Sequence, residues 1–61
     1  MPFLACEIYK NDLFALDING DFWRFELEYV DQQVVIQKLT GNEPDYYNII
    51  RLLRAKANLY K

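Results

Sequence analysis

The chain has 61 residues, seven of them basic and nine acidic, for a net charge of −2, with 52% hydrophobic and 16% aromatic side chains. One cysteine and no histidine exclude an internal disulfide and a zinc site of the usual thiolate–imidazole type. A chain this short buries only about 60% of its unfolded surface, so its stability is expected to rest on an apolar core supplemented by self-association.

The charges are unevenly spread. Residues 1–42 hold three basic and seven acidic side chains, and residues 43–61 hold four basic and two acidic, giving −4 followed by +2. Neither block is a DNA-binding patch, which typically gives a domain pI above about 9. Residues 1–12 lack the basic start of a secretory leader and already contain Glu7, Lys10 and Asp12. No apolar run approaches the roughly 18 residues of a membrane span. The expectation is a cytoplasmic protein, made without membrane contact and carrying a free, buried thiol.

In chain order, residues 3–9 read as a first strand, with Leu4, Cys6 and Ile8 on one side and Phe3, Ala5, Glu7 and Tyr9 on the other. Lys10, Asn11 and Asp12 form a turn. A three-residue loop here unites Leu4, Cys6 and Ile8 with Phe14, Leu16 and Ile18, whereas a two-residue loop flips the first strand. The apolar pattern therefore selects the three-residue loop.

Residues 13–18 and 21–30 flank Asn19-Gly20, the strongest short hairpin signal in the chain. A two-residue type I′ loop pairs Leu16 with Trp23 and Phe14 with Phe25. One face then carries Phe14, Leu16, Ile18, Trp23, Phe25, Leu27 and Tyr29. The other carries Leu13, Ala15, Asp17, Phe22, Arg24, Glu26 and Glu28, with Arg24 near Asp17 and Glu26.

Asp31, Gln32 and Gln33 form a less well specified third turn. Residues 34–39 make a fourth strand, placing Val34 and Ile36 on the apolar face and Val35, Gln37 and Leu39 on the other. From Pro44 the periodicity changes from two to about 3.6, predicting a helix over residues 44–59. Asn42 or Glu43 is expected to cap it, with Pro44 and Asp45 in the first turn. Its core stripe is Tyr46, Ile49, Ile50, Leu53, Ala57 and Tyr60. The predicted fold is α+β: one domain over residues 1–61, a four-stranded antiparallel meander with the C-terminal helix on the apolar sheet face.

No chemical motif survives. Asp17, Asn19, Asp21 and Glu28 match positions 1, 3, 5 and 12 of an EF-hand loop, but the position requiring glycine is Phe22, and residues 22–30 alternate as a strand. The pairs Glu26/Glu28 and Asp17/Asp21 lie on a flat polar face without a cleft to raise a carboxyl pKa. The chain has no serine and no histidine, and Cys6 is expected to face the core. No cofactor, metal or catalytic residue is predicted.

What remains are surfaces. Leu52, Ala55 and Leu59 fall about 120–140° around the helix from its core stripe, a candidate seam for a homodimer. Phe22, Val30, Val35 and Leu39 are expected outward among the charges of the polar sheet face, joined by Phe3, Ala5 and Tyr9, as a candidate protein-binding surface. Tyr47, Arg51 and Arg54 line a helix flank suited to phosphates or carboxylates. Phe3, Tyr9 and Phe22 are candidates to stack unpaired bases.

The order of four strands then one helix is similar to the dimeric single-strand-binding domain of the PC4 coactivator type, although this sheet lacks the basic residues such a domain uses. That resemblance implies a helix-mediated dimer. The leading expectation is a small non-enzymatic protein-interaction module, a homodimer that binds or inhibits another protein. The alternatives are a single-stranded nucleic-acid-binding module and a structural subunit of a larger complex.

Overall fold

The structure, a computed structural model, describes residues 2–28 and 33–59. Four strands, β1 (Phe3–Tyr9), β2 (Asp12–Asp17), β3 (Phe22–Glu28) and β4 (Gln33–Lys38), form one antiparallel sheet in the order β1-β2-β3-β4. A single helix, α1 (Tyr46–Asn58), packs on β1 and β2. The predicted meander-plus-helix architecture is thus the one observed. Tyr29, Val30 and Tyr60 lie outside the described residues.

Both N-terminal hairpins differ by one residue from the registers expected of the sequence. Tyr9 pairs with Asp12 and Ile8 with Leu13, so the first loop is the two-residue Lys10-Asn11. Both residues have positive φ, 49° and 72°, as a type I′ loop requires. The second loop is longer than expected, not shorter. Leu16 pairs with Phe22 and Ala15 with Trp23, and the Asp17 N–H donates to the Asp21 carbonyl at 2.9 Å. The loop is therefore Ile18-Asn19-Gly20, with Gly20 at φ 89° and its N–H donating to the Asp17 carbonyl at 3.1 Å. Asn19 is not among the positive-φ residues, so Asn19-Gly20 does not form a type I′ pair. This is the three-residue pattern of a type I turn closed by a left-handed residue, with Asp at its first position and Gly at its fourth.

The side chain of Asp17 accounts for the choice. Its Oδ1 accepts the backbone N–H groups of Asn19 at 2.8 Å and Asp21 at 2.9 Å, and its Oδ2 accepts the Trp23 indole N–H at 2.8 Å. At 1% exposure, the carboxylate is buried with both oxygens occupied by N–H donors. These donors, led by the Trp23 indole, hold its pKa below the ordinary 3.8.

Because side chains alternate along a strand, each one-residue slip exchanges faces. Phe14 and Leu16 now share a face with Ala5, Phe22 and Leu39 and meet Ile49, Ile50 and Leu53 of the helix. Tyr9, Tyr46 and Ala57 pack around this core. The β3–β4 pairing keeps the expected parity, with Phe25 opposite Ile36. Phe25, Ile36 and Val34, together with Ile8 and Trp23, lie on the side away from the helix. On β1, β3 and β4 the helix therefore covers the side expected to be polar, while on β2 it covers Phe14 and Leu16 as expected, and Ile8, Leu13, Phe25 and Ile36 are left on the other side.

The helix follows its amphipathic stripe, burying Ile49, Ile50 and Leu53. Its N-cap is Asp45, without a side-chain capping bond, and not Asn42 or Glu43. The carboxylate of Asp45 instead pairs with Lys10 at 3.0 Å, tying the helix start to the first hairpin loop. At the other end, Lys56 donates to the Cys6 carbonyl at 3.0 Å and pairs with Glu7 at 3.1 Å, fixing the helix along β1.

Candidate functional site

Cross-strand pairing builds one continuous feature on the uncovered face. Ile8 lies opposite Leu13, Leu13 opposite Phe25, and Phe25 opposite Ile36, so a single apolar row crosses all four strands. With strands about 4.8 Å apart, the row is about 14 Å long. Ile8 is 71% exposed and Ile36 54%, while Phe25 is half-buried. Val34, 58% exposed, flanks the row on β4. Beside it runs a second row, Cys6, Ala15, Trp23 and Lys38. Phe3 joins the face through an edge-on contact with Phe25, ring centroids 5.6 Å apart.

The face is almost free of charge. Among the described residues its ionisable groups in the strands are Asp17, held by three N–H donors, the Cys6 thiol, and Lys38, paired with Asp21 at 3.4 Å. The other paired charges lie on the helix side. Arg24 there bridges Asp12 at 3.0 Å and Glu43 at 3.3 Å, rather than Asp17 or Glu26. Burial pulls the guanidinium pKa down, but the carboxylates of Asp12, Glu43 and Glu26 more than offset it and hold the group above its ordinary value. Arg24 and its partners line a recess of about 300 Å³ between Tyr9, Asp12 and Pro44. The charges there are already matched, and the Arg24 Nε, buried without a partner, is the group left over.

Several expected site residues lie elsewhere. Phe22 and Leu39, expected outward, are each only 8% exposed and belong to the core, because the slip of β2 against β3 turns their face under the helix. Ala5 and Tyr9 also lie on the helix side, because the two-residue Lys10-Asn11 loop slips β1 by one residue against β2, while Val35, half-buried, alternates to the helix side. Cys6, expected in the core, is exposed. Val30 lies outside the described residues.

Leu52, Ala55 and Leu59 are exposed on the helix, as are Tyr47, Arg51 and Arg54. The Arg54 guanidinium sits over the Phe22 ring at 5.4 Å, so it closes the core edge rather than standing free. The ring of Tyr47 meets that of Tyr46 edge-on at 5.3 Å. The expected base-stacking trio is dispersed: Phe22 is buried, Tyr9 packs at the helix side, and Phe3 lies on the opposite face.

The row Ile8, Leu13, Phe25 and Ile36 was missed at the sequence level, although its signal is present. Asp17 and Gly20 stand at the first and fourth positions of a type I turn, and that spacing sets the register that assembles the row. Among the described residues no group of three or more metal-ligating side chains is gathered, and no helix is long and apolar enough to cross a membrane. No family model, curated protein or solved structure matches the chain.

Proposed function

We propose that this protein is a non-enzymatic interaction module that acts by docking the uncovered face of its sheet onto another protein, binding or inhibiting it. The observation that supports this reading is the apolar row Ile8, Leu13, Phe25 and Ile36, open to solvent across the whole sheet. Apolar surface gains about 25 cal/mol per Å² when removed from water, and contiguous patches of this kind mark protein-binding sites. The chain has neither serine nor histidine, and the Lys56 amine nearest Cys6 is engaged by Glu7 and a carbonyl. The exposed Cys6 thiol suits a reducing compartment such as the cytoplasm.

The test compares three immobilised baits in host extract: the parent chain, the double variant Ile8→Lys/Ile36→Glu, and the helix variant Leu52→Glu. Proteins held by the parent and by Leu52→Glu but lost by the double variant are the expected outcome. Identical retention by all three, with self-association also unchanged, refutes the reading.

A further inference from the structure

We infer that the occupant of the uncovered sheet face is a second copy of this chain, joined face to face about a two-fold axis into a helix–sheet–sheet–helix sandwich. This rests on the interaction-module reading above and names its partner.

Three features carry it. The first is charge. Among the described residues, the only charged side chains in the strands of this face, Asp17 and Lys38, are already matched within the chain. The face therefore asks for no counter-charge from a foreign surface. A neutral apolar face is complementary to itself, and an isologous contact desolvates no unpaired charge. By contrast, the helix surface beside Leu52 and Ala55 carries Arg51 and Arg54, which a parallel copy would repel.

The second is area. The outer face exposes Ile8 at 71%, Val34 at 58%, Ile36 at 54% and Leu13 at 38%, and two such faces together supply the apolar surface for a specific, stable interface, which buries about 1,200 Å² or more in total. The seam of Leu52, Ala55 and Leu59 offers much less, with two leucines around an alanine.

The third is shape. The row Ile8, Leu13, Phe25 and Ile36 crosses all four strands. Two twisted sheets pack at about −30° with about 10 Å between them, so the row on one copy lies across the row on the other. The half-buried Trp23 and Phe25 then become the centre of a second core, and the one-sided core of a 61-residue chain is completed on its other side.

The experiment is sedimentation equilibrium on the full chain from about 1 to 200 µM, read against its 7.3 kDa mass. A reversible monomer–dimer equilibrium with a micromolar dissociation constant is expected. Ile36→Glu and Ile8→Lys each weaken it by about 100-fold or more, while Leu52→Glu leaves it within about twofold. Ile8 and Ile36 are largely exposed, so both variants keep their far-ultraviolet circular dichroism; should one unfold, the other decides. A strict monomer at about 200 µM overturns the inference, as does a dimer broken by Leu52→Glu and untouched by the sheet variants. A monomeric chain whose sheet face still retains a foreign protein overturns the second copy while leaving the interaction-module reading intact.

Discussion

Replacing Phe22 and Ile36 separately by alanine decides which face of the sheet is the core of the folded chain. Phe22 is 8% exposed, packed among Leu16, Leu39 and the helix, with Arg54 over its ring. Truncating a core phenylalanine removes its transfer free energy and leaves a cavity, a loss of about 3–5 kcal/mol. A chain of this size has a total stability of only about 3–9 kcal/mol at roughly 0.05–0.15 kcal/mol per residue. Phe22→Ala is therefore expected to lose from about a third to all of the stability of the chain. Ile36 is 54% exposed on the uncovered face, so Ile36→Ala forfeits about 1 kcal/mol or less in the monomer. The assay is urea unfolding followed by Trp23 fluorescence and far-ultraviolet circular dichroism. It is run at a concentration low enough that self-association contributes nothing. With a urea slope of about 1 kcal/mol/M, the two variants differ in midpoint by about 2–4 M. The sequence pattern taken alone implies the reverse ranking, because it turns Phe22 outward and Ile36 inward. An Ile36→Ala shift equal to or larger than that of Phe22→Ala refutes the register and the uncovered face with it.

Three further outcomes concern the turns and the buried carboxylate. Gly20→Ala costs about 1 kcal/mol from backbone strain alone, because φ is 89° and an added Cβ meets nothing within 4 Å. Asn11→Val, at φ 72°, costs about 1–2 kcal/mol by the same thermal or urea measurement, whereas no loss argues against the two-residue loop. Asp17→Asn is less stable than the parent at neutral pH. The parent carboxyl has a folded pKa below 3.8, so its stabilisation is complete above that ordinary value and is lost as pH falls through the lower folded value. The urea midpoints of parent and variant are thus expected to converge as the pH is lowered below 3.8, and a pH-independent gap contradicts the bonding of Asp17.

How far the fold was legible depends on the element. The helix declared itself through its 3.6-residue stripe, and Ile49, Ile50 and Leu53 are buried as their spacing implies. The four strands and their order followed from period-two runs between turn residues, as did the parity of β3 and β4, where Phe25 faces Ile36. The face that meets the helix did not follow. Its selection depends on β2, whose sequence places Leu13 and Ala15 on one side and Phe14 and Leu16 on the other. Both sides are apolar, so hydrophobic pattern gives either register nearly the same burial, and the turns decide. The Asn19-Gly20 pair suggests a two-residue loop, but the Asp17 carboxylate, accepting Asn19, Asp21 and Trp23 N–H groups, favours three. Positive φ at Lys10 and Asn11 closes the first hairpin with two.

The sequence by itself determined the elements and their order, because periodicity and turn residues are local properties of the chain. It also held the residues of the candidate surface, but distributed over four strands and mixed with residues that became the core. Only the tertiary structure decided that Ile8, Leu13, Phe25 and Ile36 stand in one uncovered row while Phe22 and Leu39 lie beneath the helix. The reason is geometric: side chains alternate every residue, so a single-residue choice at each turn of a two-sided apolar sheet reverses which face is core and which is surface.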